Sequence, residues 1–175
     1  MRQTTPFNET CNFTKEDNAQ AKTALIGEEV QLPHTWNAID GQNGGNNYYR
    51  GKCWYTKQLP RPDAGEDGET WLEFRGAAMA ADVYVNGTHM GRHEGGYATF
   101  RINITGALRD DNLLAVAVDN SPNRRIHPQQ ADFTFYGGLY RDVYLLTLPK
   151  AHFALDYYGS PGIKVTPTVE GADAQ

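Results

Sequence analysis

Apolar side chains in this chain recur at every second residue. Phe100, Ile102 and Ile104 share one face of Phe100-Arg101-Ile102-Asn103-Ile104, and Trp71-Leu72-Glu73-Phe74 alternates in the same way. A strand turns successive side chains to opposite faces, so this spacing predicts half-buried strands. Residues 113–118 read Leu-Leu-Ala-Val-Ala-Val between Asp110-Asp111-Asn112 and Asp119-Asn120-Ser121-Pro122. A short apolar run bounded in this way predicts a strand covered on both faces. Residues 143–148 predict another, stopped by Pro149. The sharpest turn signal is Asn86-Gly87, which follows Val83-Tyr84-Val85. Both central positions of a tight hairpin turn need positive φ, which Asn and Gly tolerate best. The 18 glycines and 9 prolines punctuate the rest every eight to fifteen residues. Helix signals are confined to Thr14, Asp17, Ala19, Ala21 and Ala24, enough for one short capped helix. The pattern is all-β, a sandwich or a barrel.

Size and charge narrow the function. A chain of 175 residues is one domain, too short for a (β/α)₈ barrel of about 250. A net charge of -5 argues against general nucleic-acid or anionic-membrane binding, which needs a basic face. No stretch approaches the roughly 20 apolar residues of a membrane span. Residues 1–5 lack the apolar core of a secretion signal, which leaves cytoplasm and periplasm both open. Cys11 and Cys53 are expected to be small buried residues, neither a bridge nor a catalytic pair. Nucleotide motifs fail, since Gly51-Lys52 is followed by Cys53 and no Gly-x-Gly-x-x-Gly occurs. His89 and His93 would stand about 13 Å apart along a strand, too far for one metal ion, and are read as structural. The sequons at Asn8, Asn12, Asn86 and Asn103 are read as turn and strand positions.

Two loops stand out. Residues 39–51 are polar and glycine-rich, with Asn46, Asn47, Tyr48 and Tyr49. Residues 119–135 form the second, with Asp132 in Ala131-Asp132-Phe133-Thr134-Phe135-Tyr136. Long loops in compact domains are commonly functional. A carboxylate accepts hydrogen bonds from neighbouring sugar hydroxyls, and aromatic faces pack on a sugar's C–H face. Asp132 therefore has two readings, a turn cap or a ligand-contacting acid. Asn46 and Asn47 beside Tyr48 repeat the same chemistry, or are plain turn residues. Residues 61–69 look like an exposed connection. Trp36, Trp54, Tyr55 and Tyr140 are assigned to the core or a sheet face. No pair of carboxylates stands out as catalytic. Beyond Pro149, residues 163–166 look like the first strand of something new, placing a boundary between residues 1–150 and 151–175.

Five motifs in order resemble the start of a glycoside hydrolase family 2 enzyme. They are Leu32-Pro33-His34-Thr35-Trp36-Asn37, Gly51-Lys52-Cys53-Trp54-Tyr55, Val83-Tyr84-Val85-Asn86-Gly87, Gly91-x-His93-x-Gly95-Gly96-Tyr97-x-x-Phe100, and Gly137-Gly138-Leu139-Tyr140-Arg141-Asp142-Val143. Asp132 ahead of the last motif resembles the β-galactosidase branch; the β-glucuronidase and β-mannosidase branches share the fold. The resemblance implies a galactose-binding-domain-like, jelly-roll β-sandwich at the N-terminus of a larger enzyme. An immunoglobulin-like domain, begun in residues 151–175, and a catalytic barrel would follow. Two glutamates on that barrel would perform retaining hydrolysis, so no catalytic residue is expected here. Asp132 matches the family's sugar-contacting acid, which in some members also helps hold a monovalent cation. The domain itself is expected to need no cofactor and to hold no metal ligand. Asn46, Asn47 and Tyr48 sit where the family's other contributing loop lies. The opening Phe7-Asn8-x-x-Cys11-x-Phe13 departs from the family pattern, with Cys11 where members often have tryptophan. Implied partners are a β-galactoside or other carbohydrate and the downstream immunoglobulin-like and barrel domains; neither nucleic acid nor membrane is expected, and a homo-oligomer is left open. Two other readings stand beside this one, a stand-alone carbohydrate-binding module and a structural interaction domain.

Overall fold

The alternating segments become strands of two antiparallel sheets. The computed structural model describes residues 1–41, 48–127, 135–157, 159–171, 173 and 174. In chain order the strands are β1 (Gln3–Pro6), β2 (Cys11–Thr14), β3 (Glu28–Val30), β4 (Lys52–Leu59), β5 (Glu69–Phe74), β6 (Ala80–Val85), β7 (Thr88–Glu94), β8 (Phe100–Asn103), β9 (Asn112–Asp119), β10 (Val143–Leu148), β11 (Val169–Glu170) and β12 (Asp173–Ala174). One sheet runs β1-β10-β5-β8, the other β3-β2-β4-β9-β6-β7, and β11 pairs with β12 apart from both. The architecture is the expected β-sandwich.

Period-two alternation decides which side chains meet between the sheets. From the six-stranded sheet come Phe13, Tyr55, Val83, Val85, Val116 and Val118; Leu72, Phe74, Phe100, Val143 and Leu145 come from the four-stranded one. Within each sheet, register sets them beside one another on neighbouring strands, Tyr55 next to Val116 and Phe74 next to Val143. Burying each such side chain contributes about 1.5–3 kcal/mol. Cys11 joins this cluster. Both cysteines are free and buried, as expected; burial pushes the Cys11 thiol up to about 11 and the Cys53 thiol to about 12.

The Asn86-Gly87 turn forms as expected, with φ of 53° and 81°. Asn86 also donates to the Ala107 carbonyl and accepts from the Leu113 amide, both at 2.9 Å, so this sequon position is a structural one. The 113–118 run is covered on both faces. Ala115 and Ala117 look outward onto Ala21 and Trp54. Ala21 belongs to a 3-10 turn, Ala19–Lys22, whose cap is Asn18, accepting from the Gln20 amide at 3.0 Å. Thr14 does not cap it, because β2 continues through Thr14 to pair with Trp54. His93 stacks on Phe100 at 4.2 Å and His89 pairs with Asp82 at 3.0 Å, both structural roles.

Past Pro149 the chain turns back. Leu155 is buried against Leu146 and Leu148 on the outer face of the four-stranded sheet. The strand expected at residues 163–166 does not form; that stretch is exposed and pairs with no other strand, and the pairing appears further on, between β11 and β12.

Candidate functional site

The register of one strand pair brings the two long loops together. β4 and β9 align with Lys52 opposite Asp119. The first loop enters β4 and the second leaves β9, so their stems stand side by side at one end of the sandwich. Of the residues singled out from sequence, Asn46, Asn47 and Asp132 lie outside the described residues. Tyr48 is described, half-buried where the first loop returns, with the Arg50 guanidinium 5.1 Å from its ring centre.

Beneath the loops lies a buried polar clamp. Asn37 is fully buried, and Asp40 and Asn120 nearly so. The Asn37 amide donates to Asp40 Oδ2 at 2.6 Å and to the Tyr49 carbonyl at 3.1 Å. Its Oδ1 accepts from the Gly137 amide at 2.8 Å and from Asn120 Nδ2 at 3.3 Å. Asn120 in turn donates to the Tyr49 carbonyl at 3.0 Å and accepts from the Gly51 amide at 2.8 Å. Asp40 also accepts from the Tyr49 amide at 3.0 Å. One side chain, Asn37, thus ties both stems of the first loop to both stems of the second. Leaving such groups unpaired would cost about 1–3 kcal/mol each, so the clamp holds the stems in one arrangement.

The sequence motifs meet around this clamp. The His34 amide donates to the Leu139 carbonyl at 2.8 Å, and His34 Nδ1 lies 2.9 Å from Tyr55 Oη. Trp36 covers Gly137, where a Cβ would fall 2.4 Å from the indole ring. Gly138 has a φ of +113°, and a Cβ there would sit 2.5 Å from Tyr55 Oη. Tyr140 donates to the Gly96 carbonyl at 2.5 Å, and Arg141 to the Tyr97 carbonyl at 3.0 Å. Asn8 donates to Asp142 at 2.8 Å and accepts from the Val143 amide at 2.9 Å. Segments up to 135 positions apart in sequence are therefore joined by directed hydrogen bonds.

The electrostatics keep the clamp's carboxylate ionised and the neighbouring Tyr48 and His34 uncharged. Burial pushes the Asp40 carboxyl up, but the Tyr49 amide, the Asn37 amide and the Lys15 charge outweigh it and hold it below the ordinary carboxylate range. Burial raises the Tyr48 phenol, which therefore stays protonated at neutral pH. Burial likewise lowers His34, which stays uncharged. Tyr97 and Tyr136 leave aromatic surface exposed on the segments beside the clamp. Among the described residues, no group of three or more His, Cys, Asp or Glu could hold a metal ion. The monovalent cation expected beside Asp132 falls, with that residue, outside the described part. Grooves of about 490 Å³ and 210 Å³ open elsewhere, the first lined by Leu148, Phe153 and Leu155, the second by Thr99, Phe100 and Arg101.

Sequence reasoning missed Asp40 and Asn120 as site residues and saw Asn37 only as part of a motif. The available signal was position: each is a short polar residue that flanks a long loop beside a strand or an aromatic anchor.

Comparison with known proteins gives a consistent picture. Residues 9–149 match the family model described as "Glycosyl hydrolases family 2, sugar binding domain". The chain is 36% identical over 165 residues to a β-glucuronidase of Bacteroides fragilis, covering 93% of this chain and 23% of that protein. It is 30% identical to a β-galactosidase of Thermoanaerobacter pseudethanolicus, covering 83% and 21%. Among solved structures, an FMN-binding β-glucuronidase from F. prausnitzii L2-6 superposes with a TM-score of 0.82 at 45% identity, covering 95% of this chain and 26% of that one. The chain thus spans about a quarter or less of each relative's length.

Proposed function

This chain belongs to the sugar-binding domain family of the family 2 glycosyl hydrolases, and from that premise we propose that it is the non-catalytic N-terminal domain of a β-glycosidase and lends its two clamped loops to the pocket for a terminal sugar. Its relatives include both β-glucuronidases and β-galactosidases, so the substrate class is a β-glucuronide or β-galactoside. The observation that carries the reading is the Asn37 clamp. A loop pair tied at all four stems can present polar side chains to a ligand at fixed separation. Groups held in that way raise rate by orienting substrate, with no proton transfer of their own. Asp132 on the second loop would accept from adjacent sugar hydroxyls, Asn46 and Asn47 would do so from the first, and Tyr48 would supply an aromatic face. The downstream barrel would provide the acid and the nucleophile.

The test uses the enzyme encoded by the complete reading frame, with aryl β-galactoside and aryl β-glucuronide as substrates. Asp132→Ala is expected to lower kcat/KM about tenfold or more for the true substrate while the fold persists; unchanged kinetics would remove Asp132 from the pocket. The 175-residue chain alone is expected to turn over neither compound. Turnover by the pure chain, abolished by Asp132→Ala, would overturn the non-catalytic assignment.

A further inference from the structure

Away from the loops, the centre of one charged cluster is closed to water. Alternation sends Leu72 and Phe74 inward, so Glu73 and the residue paired with it, Arg101, face outward from the four-stranded sheet. Charges in that position are ordinarily wet. Here the Glu73 side chain is fully buried and that of Arg101 is 6% exposed. Glu73 has Arg101 Nε at 2.5 Å, Arg75 Nη2 at 2.8 Å and Arg2 Nη2 at 3.6 Å. The cover comes from the chain after β10. The remaining donors of the Arg101 guanidinium reach the main-chain carbonyls of Leu155 at 3.3 Å, Gly159 at 3.0 Å and Ser160 at 2.7 Å.

We propose that Arg101, held in place by Glu73, is a latch that docks Leu155, Gly159 and Ser160 onto the outer sheet face and so fixes the direction in which the chain leaves the sandwich after Ser160. The planar fork of an arginine carries five N–H donors, enough to grip one carboxylate and three carbonyls at once. A lysine ammonium has only three donors. The latch touches backbone, so what it selects is the shape of a turn. That shape is built into the segment. Gly159 has a φ of +66°, where a Cβ would fall 2.6 Å from the Thr99 carbonyl oxygen, and Gly162 has a φ of +81°, where one would fall 2.2 Å from the Ala154 carbonyl oxygen. Within the turn, the Ser160 amide donates to the Tyr157 carbonyl at 2.9 Å and the Gly162 amide to Ser160 Oγ at 3.2 Å. Leu155 adds an apolar anchor beside the latch. Residues just past Pro149 are on this view a working part of the sandwich. The proposal goes beyond the sugar-binding reading and stands or falls separately from it.

Hydrogen exchange followed by mass spectrometry on the 175-residue chain tests the latch. Arg101→Met is expected to speed exchange in peptides spanning residues 153–162 about tenfold or more, with peptides of β4 and β9 unchanged. That variant takes the buried arginine away from a buried carboxylate, leaving it only the half-exposed Arg75 and Arg2, and can fail to fold, so two others carry the decision. In the double variant Glu73→Met with Arg101→Met both charges are gone, and replacing a buried pair by apolar side chains is often neutral for stability. It is expected to fold and still release the segment. Gly159→Ala leaves the charges intact and displaces the turn; it too is expected to release the segment. Wild-type protection of residues 153–162 in either of these two variants overturns the proposal, even if the pocket reading holds.

Discussion

The interior between the sheets and the clamp beneath the loops are both closed to water, and opposite chemistry holds them. Between the sheets, Phe74, Val116 and their neighbours pack without direction, and any apolar group of similar volume would serve. Under the loops, Asn37, Asp40 and Asn120 are satisfied by hydrogen bonds that specify partner, distance and angle. The first region decides whether the chain folds. The second decides where two loops stand relative to each other once it has. A sugar site needs the second property, because hydroxyl groups are recognised by donors and acceptors at fixed positions.

The largest effect should come from the interior. Phe74→Ala removes a fully buried ring that stacks on Phe100 at 4.7 Å and is expected to cost about 3–5 kcal/mol, read as a lowered urea midpoint. Hydrogen exchange at the loop stems should rise only with global unfolding. A smaller but local effect is expected at the clamp. Asn37→Ala strands the Gly137 amide, leaves Asp40 with the Tyr49 amide alone of its two clamp donors and should cost about 1–3 kcal/mol, with faster exchange at residues 48–51 and 137–139 well below the unfolding transition. If the two variants loosen the same amides, the division between the regions fails. The finest probe is acid. Asp40 is held below its ordinary value in the folded chain, so its contribution is complete above the unfolded carboxylate pKa and is lost as pH falls through the lower folded value. The stability gap between the wild type and Asp40→Asn should be flat at neutral pH and shrink below about pH 4. A gap that persists unchanged to the lowest measurable pH would show that ionised Asp40 is no part of the clamp.

These two regions also differ in how far they could be read from sequence. Leu72, Phe74 and Phe100 announce themselves by local alternation, Val116 by a bounded apolar run, and Asn86-Gly87 names its own turn, so the all-β class and the β6–β7 hairpin were legible, and the motif resemblance chose the sandwich over the barrel. The clamp was not. Asn37 and Asn120 stand 83 positions apart, and what joins them is the register of β4 against β9, which no local period records. The motifs were visible as words, yet their meeting depends on close approaches such as Trp36 over Gly137. The same limit applied beyond Pro149. A β-rich pattern at residues 163–166 suggests a strand, but a strand needs a neighbouring edge to pair with, and this exposed stretch pairs with none. Asn46, Asn47 and Asp132 remain proposals from motif position; Tyr48 is the one residue of that set described, at the mouth of the clamp.

The most direct measurement compares kcat/KM for an aryl β-glycoside in the enzyme from the complete reading frame, carrying either Asn37→Ala or the milder core change Phe74→Leu, at a temperature where both are fully folded. The account predicts that Asn37→Ala loses about tenfold or more while Phe74→Leu keeps the wild-type value. Equal kinetics in the two variants would contradict the claim that the clamp, and not the sandwich alone, serves the sugar pocket.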